Sequence, residues 1–347
     1  MTLNLFFYFR FLIALQLLGL LTISLYVGAS ESGNFDNPDN SGIAAMNEGR
    51  YDDAYQYFSS QRSQQDRKNS ALFYLAQISL AKEDADTAKT HIESSLEILP
   101  NNSEEHKLAG DIYCNLAQQS SIFSALKLAK KCIASYEMAI KKDAQNSKAL
   151  MAATAFFNEA PGIAGGDKEK SAYYLALLEQ VSPEHADTYK VGLYHREGKN
   201  EEALRLANSR VEKGIHQIEN QYAIAMYYRD TKNLSPAKLL FESLAASQYS
   251  YDNRWYVIDS ALQAGEVYLQ EGKNIDKSIE YIERYKAMNN NPQDVHYFWS
   301  SWSLAKAYFA TGNTEKFNTL VNQIKSEKYK NNKDFQRQFE KELKNHR

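Results

Sequence analysis

The chain has 347 residues, with 40 basic against 43 acidic side chains and a formal net charge of −3. That balance excludes a molecule drawn to nucleic acid or anionic lipid by its overall charge. Only 15 Gly and 6 Pro accompany 24 Tyr and 16 Phe, so turns are few, bulky side chains many, and long helices are favoured over sheets.

Residues 1–29 stand apart. Phe11 to Val27 reads FLIALQLLGLLTISLYV, without a charge, and follows the lone cation Arg10. Val27-Gly28-Ala29 then supplies small residues ahead of the polar stretch SESGNFDNPDNSG. A short apolar run after a cation, closed by a small-x-small site, is the secretory signal pattern, with the expected cut after Ala29. Counted from Leu3, the run also reaches the ~20 residues that span a bilayer, so a retained anchor in the inner membrane is the alternative. Both readings export the rest of the chain, to the periplasm or its membrane face. Residues 30–40 are a polar linker.

From residue 41 the sequence repeats itself. Gly49-Arg50-Tyr51-Asp52-Asp53-Ala54 is followed by Tyr57-Phe58, and thirty-four residues after Ala54 comes Ala88, with Ile92, Ser95 and Pro100 behind it. Gly198-Lys199-Asn200-Glu201-Glu202-Ala203 repeats the spacing, and Ala237 follows Ala203 by another thirty-four, with Phe241 and Leu244 after it. Gly265, Tyr268 and Gly272 open a further unit completed by Ser278, Ile282 and Tyr285; Ala305, Tyr308 and Gly312 open the last, completed by Phe317 and Val321. Two antiparallel helices cross closely only where facing side chains are small, and bulky neighbours fill the space around the crossing. Two stretches break the period: an expected linker around Gln118 to Ser124, and a long turn, Asn158 to Asp167. Residues 326–347 are a charged helix, the polar end that caps an array.

These phrases resemble the tetratricopeptide repeat in an exported bacterial form, over residues 41–325. The resemblance implies an all-α right-handed solenoid of about eight hairpins with a charged C-terminal capping helix. It also implies non-catalytic binding of a protein or peptide partner in a concave groove lined by first helices. The groove places carry over to Phe73, Gln77, Tyr222, Met226, Arg229, Trp299, Trp302, Lys306 and Phe309. The chaperone-binding branch of the family grips a terminal carboxylate with Lys and Asn; here the matching places hold Phe73, Gln77, Tyr222 and Met226, so that role is not expected. The segment APGIAGGDKEK also resembles a long loop in periplasmic repeat proteins such as the T component of TRAP-type transporters. That second likeness implies the alternative of a small-molecule or lipid-binding periplasmic protein.

No motif for chemistry survives inspection. In GIAGGDKE the places of Gly, Lys and Ser or Thr in a phosphate loop hold Asp167, Lys168 and Glu169, and an acidic side chain repels phosphate. The helical reading makes Asp167 an N-cap. The seven histidines contain no pair at metal-site spacing, and neither GxSxG nor HExxH occurs. No enzyme activity, cofactor, metal or nucleic-acid partner is therefore expected; membrane association is expected only through the N-terminal segment. Cys114 and Cys132, eighteen residues apart, form a disulfide in an oxidising compartment if they face each other across one hairpin, and otherwise serve as two small buried apolar residues.

Overall fold

The computed structural model describes residues 41–289, 296–326 and 333–344. The readings for residues 1–40, as leader or anchor and linker, lie outside the described residues. Among those described there are seventeen α-helices, one 3-10 turn and no strand.

The chain divides into two compact units, one running to Gly214 and taking in Ser250–Asp252, the other comprising Ile215–Tyr249 and the chain from Asn253 onward. The first unit holds α1 (Ser41–Asn47), α2 (Tyr51–Gln61), α3 (Lys68–Ala81), α4 (Ala85–Ile98), α5 (Ser103–Gln119) and α6 (Ile122–Lys142). It continues with α7 (Ser147–Glu159), the 3-10 turn Gly162–Ala164, α8 (Lys168–Val181), α9 (Pro183–Arg196) and α10 (Asn200–Glu212). The second holds α11 (Ile218–Asp230), α12 (Leu234–Ala246), α13 (Arg254–Glu271), α14 (Ile275–Met288), α15 (Tyr297–Ala310), α16 (Thr314–Ser326) and α17 (Lys333–Leu343). Each odd-numbered helix from α1 to α15 packs on its successor, giving eight hairpins and a final single helix. The fold is an all-α helical solenoid.

The crossings show why small residues recur. At Gly265 an added Cβ would lie 2.6 Å from Ile282 Cγ1 and 3.0 Å from the Ser278 carbonyl oxygen. Ser278 Oγ uses that proximity to donate to the Gly265 carbonyl at 2.7 Å. Ser171 Oγ makes the same kind of bond to the Thr154 carbonyl at 2.9 Å in the α7–α8 hairpin. Gly198 ends α9 at φ +76°, with its own N–H on the His195 carbonyl and the Lys199 N–H on that of Tyr194, the turn that a left-handed residue permits.

A second recurring device joins successive hairpins. Tyr113 of α5 donates to Glu93 of α4 at 2.7 Å, and Tyr268 of α13 donates to Glu242 of α12 at 2.6 Å. Tyr308 of α15 likewise donates to Glu283 of α14. A lysine covers each ring: Lys131 at 4.8 Å, Lys238 at 5.1 Å and Lys316 at 4.6 Å from the respective centroids. Bonds to a carboxylate with a cation over the ring add about 1 kcal/mol or more per junction.

The expected linker at Gln118–Ser124 is corrected. α5 runs through Gln119, α6 starts at Ile122, and only Ser120 and Ser121 separate them. The added residues lengthen both helices, because Gln continues a helix and the extended backbone of Ser121 turns the chain directly into the next. The sulfurs of Cys114 and Cys132 lie 2.09 Å apart, with the Cα atoms 5.3 Å apart, bridging this long hairpin.

Candidate functional site

In the second unit the first helices form one wall: α11 packs beside α13, α13 beside α15, and α15 beside α17. Polar ties run along it. Tyr222 donates to Asp259 Oδ2 at 2.5 Å, and Gln263 Nε2 donates to the same oxygen at 2.9 Å. Arg229 donates to Gln263, Ser303 Oγ donates to Glu266 at 2.9 Å, and Lys306 Nζ meets Glu342 at 3.3 Å. Burial and the Asp259 carboxylate push the Tyr222 hydroxyl well above the ordinary tyrosine range.

These ties sort the groove residues expected from sequence. Tyr222 and Gln77 are buried, and Trp302 is 0% exposed. Trp302 donates from Nε1 to Glu342 at 2.8 Å and sets its ring edge-on to Phe339 at 5.0 Å. Trp299 is half-buried and edge-on to Phe335, also at 5.0 Å. The readings of Gln77, Tyr222 and Trp302 as groove contacts are therefore corrected: Gln77 and Tyr222 are buried within the array, and at Trp302 α17 takes the place that the first helix of another hairpin would take, so the indole becomes core. Glu342 is held below the usual carboxylate range; burial pushes it up, but the Trp302 N–H, Gln338 and Lys306 outweigh that.

What remains accessible is a stripe at two places after each crossing residue. One place after Ala225, Gly265 and Ala305 stand Met226, Glu266 and Lys306, all half-buried. Four places after stand Arg229, Leu269 and Phe309, the first two half-buried and Phe309 44% exposed. In the first unit Phe73 is half-buried and packs at the margin of the α3–α7 core.

Sequence reasoning missed the buried charge of the first unit. Lys107 is 0% exposed and donates to Asp111 Oδ2 at 2.7 Å, while Tyr136 donates to Asp111 Oδ1 at 2.9 Å. Burial pushes the Asp111 carboxyl up against the pull of Lys107, and burial with Asp111 lifts the Tyr136 hydroxyl well above its ordinary range. The Lys-x-x-x-Asp spacing, one helical turn, was the available signal. All three groups are consumed by one another.

The glycine loop is also spoken for. Asp167 caps α8, accepting from the Glu169 and Lys170 N–H groups at 3.0 and 3.1 Å. Lys168 Nζ donates to the Asn158 carbonyl at 2.6 Å and to its side-chain oxygen at 2.7 Å. Among the described residues no group of three His, Cys, Asp or Glu side chains is placed to hold a metal ion, and no helix is long and apolar enough to cross a membrane.

No protein-family model and no curated protein sequence matches the chain. Solved structures do. Yeast Tom70 is similar at 11% identity and a TM-score of 0.49, over 90% of this chain and 73% of that one. A thermophilic TPR protein of Thermus thermophilus is similar at 13% identity and a TM-score of 0.39, over 70% of this chain and 94% of that one. PilW, a type IV pilus biogenesis factor, is similar at 17% identity and a TM-score of 0.37, over 66% and 96%. The chain's own stacked hairpins and close crossings give the fold a tetratricopeptide-like plan. Small crossing residues, bulky fillers and stacked hairpins make up its plan here.

Proposed function

We propose that the chain is a non-catalytic scaffold that binds a protein or peptide partner along the first-helix stripe of its second unit. One observation carries this reading: Met226, one place after its crossing residue, and Leu269 and Phe309, four places after theirs, remain partly exposed on three successive first helices, while buried cross-ties hold those helices in register. Such a wall is preformed, so binding demands little ordering on its side. One apolar anchor on each first helix suits a helical or extended segment that presents several apolar side chains along one face. The signal-like segment at residues 1–29 supports work in the cell envelope, with the array either released after Ala29 or held at the membrane.

The test is a photo-reactive amino acid at Met226 or Phe309 of the full chain in cells, with Leu239, 63% exposed on the second helix α12, as the control. The same discrete protein adduct from positions 226 and 309, and none from 239, is the expected result. No protein adduct at either place, or equal labelling from 239, would sink the proposal. An adduct of small-molecule mass would instead support the ligand-binding alternative.

A further inference from the structure

We propose that the tip of the α5–α6 hairpin, with the loop 160–166 beside it, is a membrane-surface contact that enters the headgroup layer of an anionic bilayer. α6 has 21 residues, against 14 in α4 and α8 and 13 in α10 and α12. The added length carries no charge: residues 112–126 contain no Asp, Glu, Lys or Arg, and neither do residues 160–166. The second uncharged segment lies against helix α6. The 3-10 turn Gly162–Ala164 packs on α6, with Ala164 buried in the same core as Ala129 and Cys132.

The apolar side chains left outside that core are large. Phe123 is 85% exposed, Ile163 70% and Ile122 38%. Withdrawing one such side chain from water favours the buried state by about tenfold or more, so this tip has a reason to be covered. The bridge between Cys114 and Cys132 joins the two helices below the tip, which keeps these side chains presented on a rigid support.

Charge selects the occupant. Exposed Lys127 and Lys130 follow Phe123 on α6, about 6 and about 10 Å further along the axis at the helical rise. An interfacial element sinks about 5–10 Å into the boundary between headgroups and acyl chains. Phe123 would then reach the acyl boundary while both ammonium groups stand at the level of the lipid phosphates, each favouring an anionic surface about fivefold. Three of the nearby acids are engaged: Glu93 accepts from Tyr113 and Lys131, Glu137 accepts from Tyr174, and Asp167 caps α8. The uncharged run Phe11–Val27, retained as an anchor, would hold the tip within reach of a bilayer. This local arrangement is independent of the chain's near-neutral total, and of the stripe on the second unit.

The full chain carrying Phe123→Trp is reconstituted in nanodiscs of phosphatidylglycerol with brominated acyl chains. The parent chain, with its three native tryptophans, gives the baseline. Quenching above that baseline, lost in Lys127→Gln/Lys130→Gln and weakened in brominated phosphatidylcholine, is the expected result. Quenching no greater than the parent's would overturn the proposal, even with the N-terminal segment inserted. A photo-reactive residue in place of Phe123 in cells identifies the occupant. A phospholipid adduct supports the proposal; a discrete protein adduct, or none, overturns it.

Discussion

Trp302→Ala tests how the array ends. The indole is wholly buried among Phe317, Val321, Phe335 and Phe339, and its N–H is bonded to Glu342 of α17. Truncating a buried Trp costs about 3–5 kcal/mol, and the lost bond to a carboxylate adds about 1 kcal/mol, softened because Lys306 keeps its own contact. An 11-residue helix is too short to persist without its support, so α17 should come away. Stability in a repeat array couples neighbour to neighbour, so the loss should fall on α15–α17 and spare α11 and α12. Hydrogen exchange resolved by segment, with urea unfolding, reads this directly. Trp302→Phe, which keeps much of the ring packing but removes the donor, should cost about 1–2 kcal/mol. Phe309→Ala, on the exposed stripe, should stay within about 0.5 kcal/mol of the parent. Parent-like protection of residues 333–343 and an unchanged midpoint in Trp302→Ala would refute the placement of this residue in the core.

Three further outcomes follow from the packing. Gly265→Ala pushes a methyl against Ile282 and the Ser278 carbonyl, which as backbone cannot give way; it should cost about 1–3 kcal/mol, and an unchanged urea midpoint would contradict that. Cys114→Ala with Cys132→Ala opens a loop spanning 18 residues and should lower stability by about 3 kcal/mol, read from thermal unfolding with and without reductant on the parent. The Tyr113 and Tyr308 hydroxyls are raised by burial and by their glutamate partners, and the Tyr268 hydroxyl by its bond to Glu242 and then by burial. Above about pH 10 the unfolded chain therefore holds fewer protons than the folded one, and stability falls as pH rises through that range. Tyr268→Phe should flatten that alkaline slope, measured by urea titrations across it.

The crossings were legible because they depend on local residue size. Gly265, Ser278 and Ile282 were read as one unit, and the structure brings them into contact. The tyrosine locks were equally local and went unread, although Ile92-Glu93, Phe241-Glu242 and Ile282-Glu283 each place the acid directly after a core residue. Each lock joins one hairpin to the next, so neither half means anything until the stacking is known. Trp302 failed for a related reason: its burial depends on Phe339 and Glu342, thirty-seven and forty residues on, and a period of about thirty-four gives no notice that the array closes with half a unit. Gln118–Ser124 misled because serines open helices as readily as they break them.

The same cross-ties that hide Trp302 and Tyr222 decide what the open stripe can recognise. Arg229 is bound by Asp230 and Gln263, Glu266 by Ser303, and Lys306 by Glu342, so each polar group on the stripe meets a partner already compensated. A ligand's charge would have to displace an internal contact to gain an external one, and such an exchange yields little net affinity. On the proposed partner-binding reading, affinity rests on Met226, Leu269 and Phe309, whose exposed apolar surface gains from burial without any exchange of charge. That distribution separates the stripe from a terminal-carboxylate clamp, which depends on uncommitted cations, and it makes apolar spacing along a segment the property the wall can read.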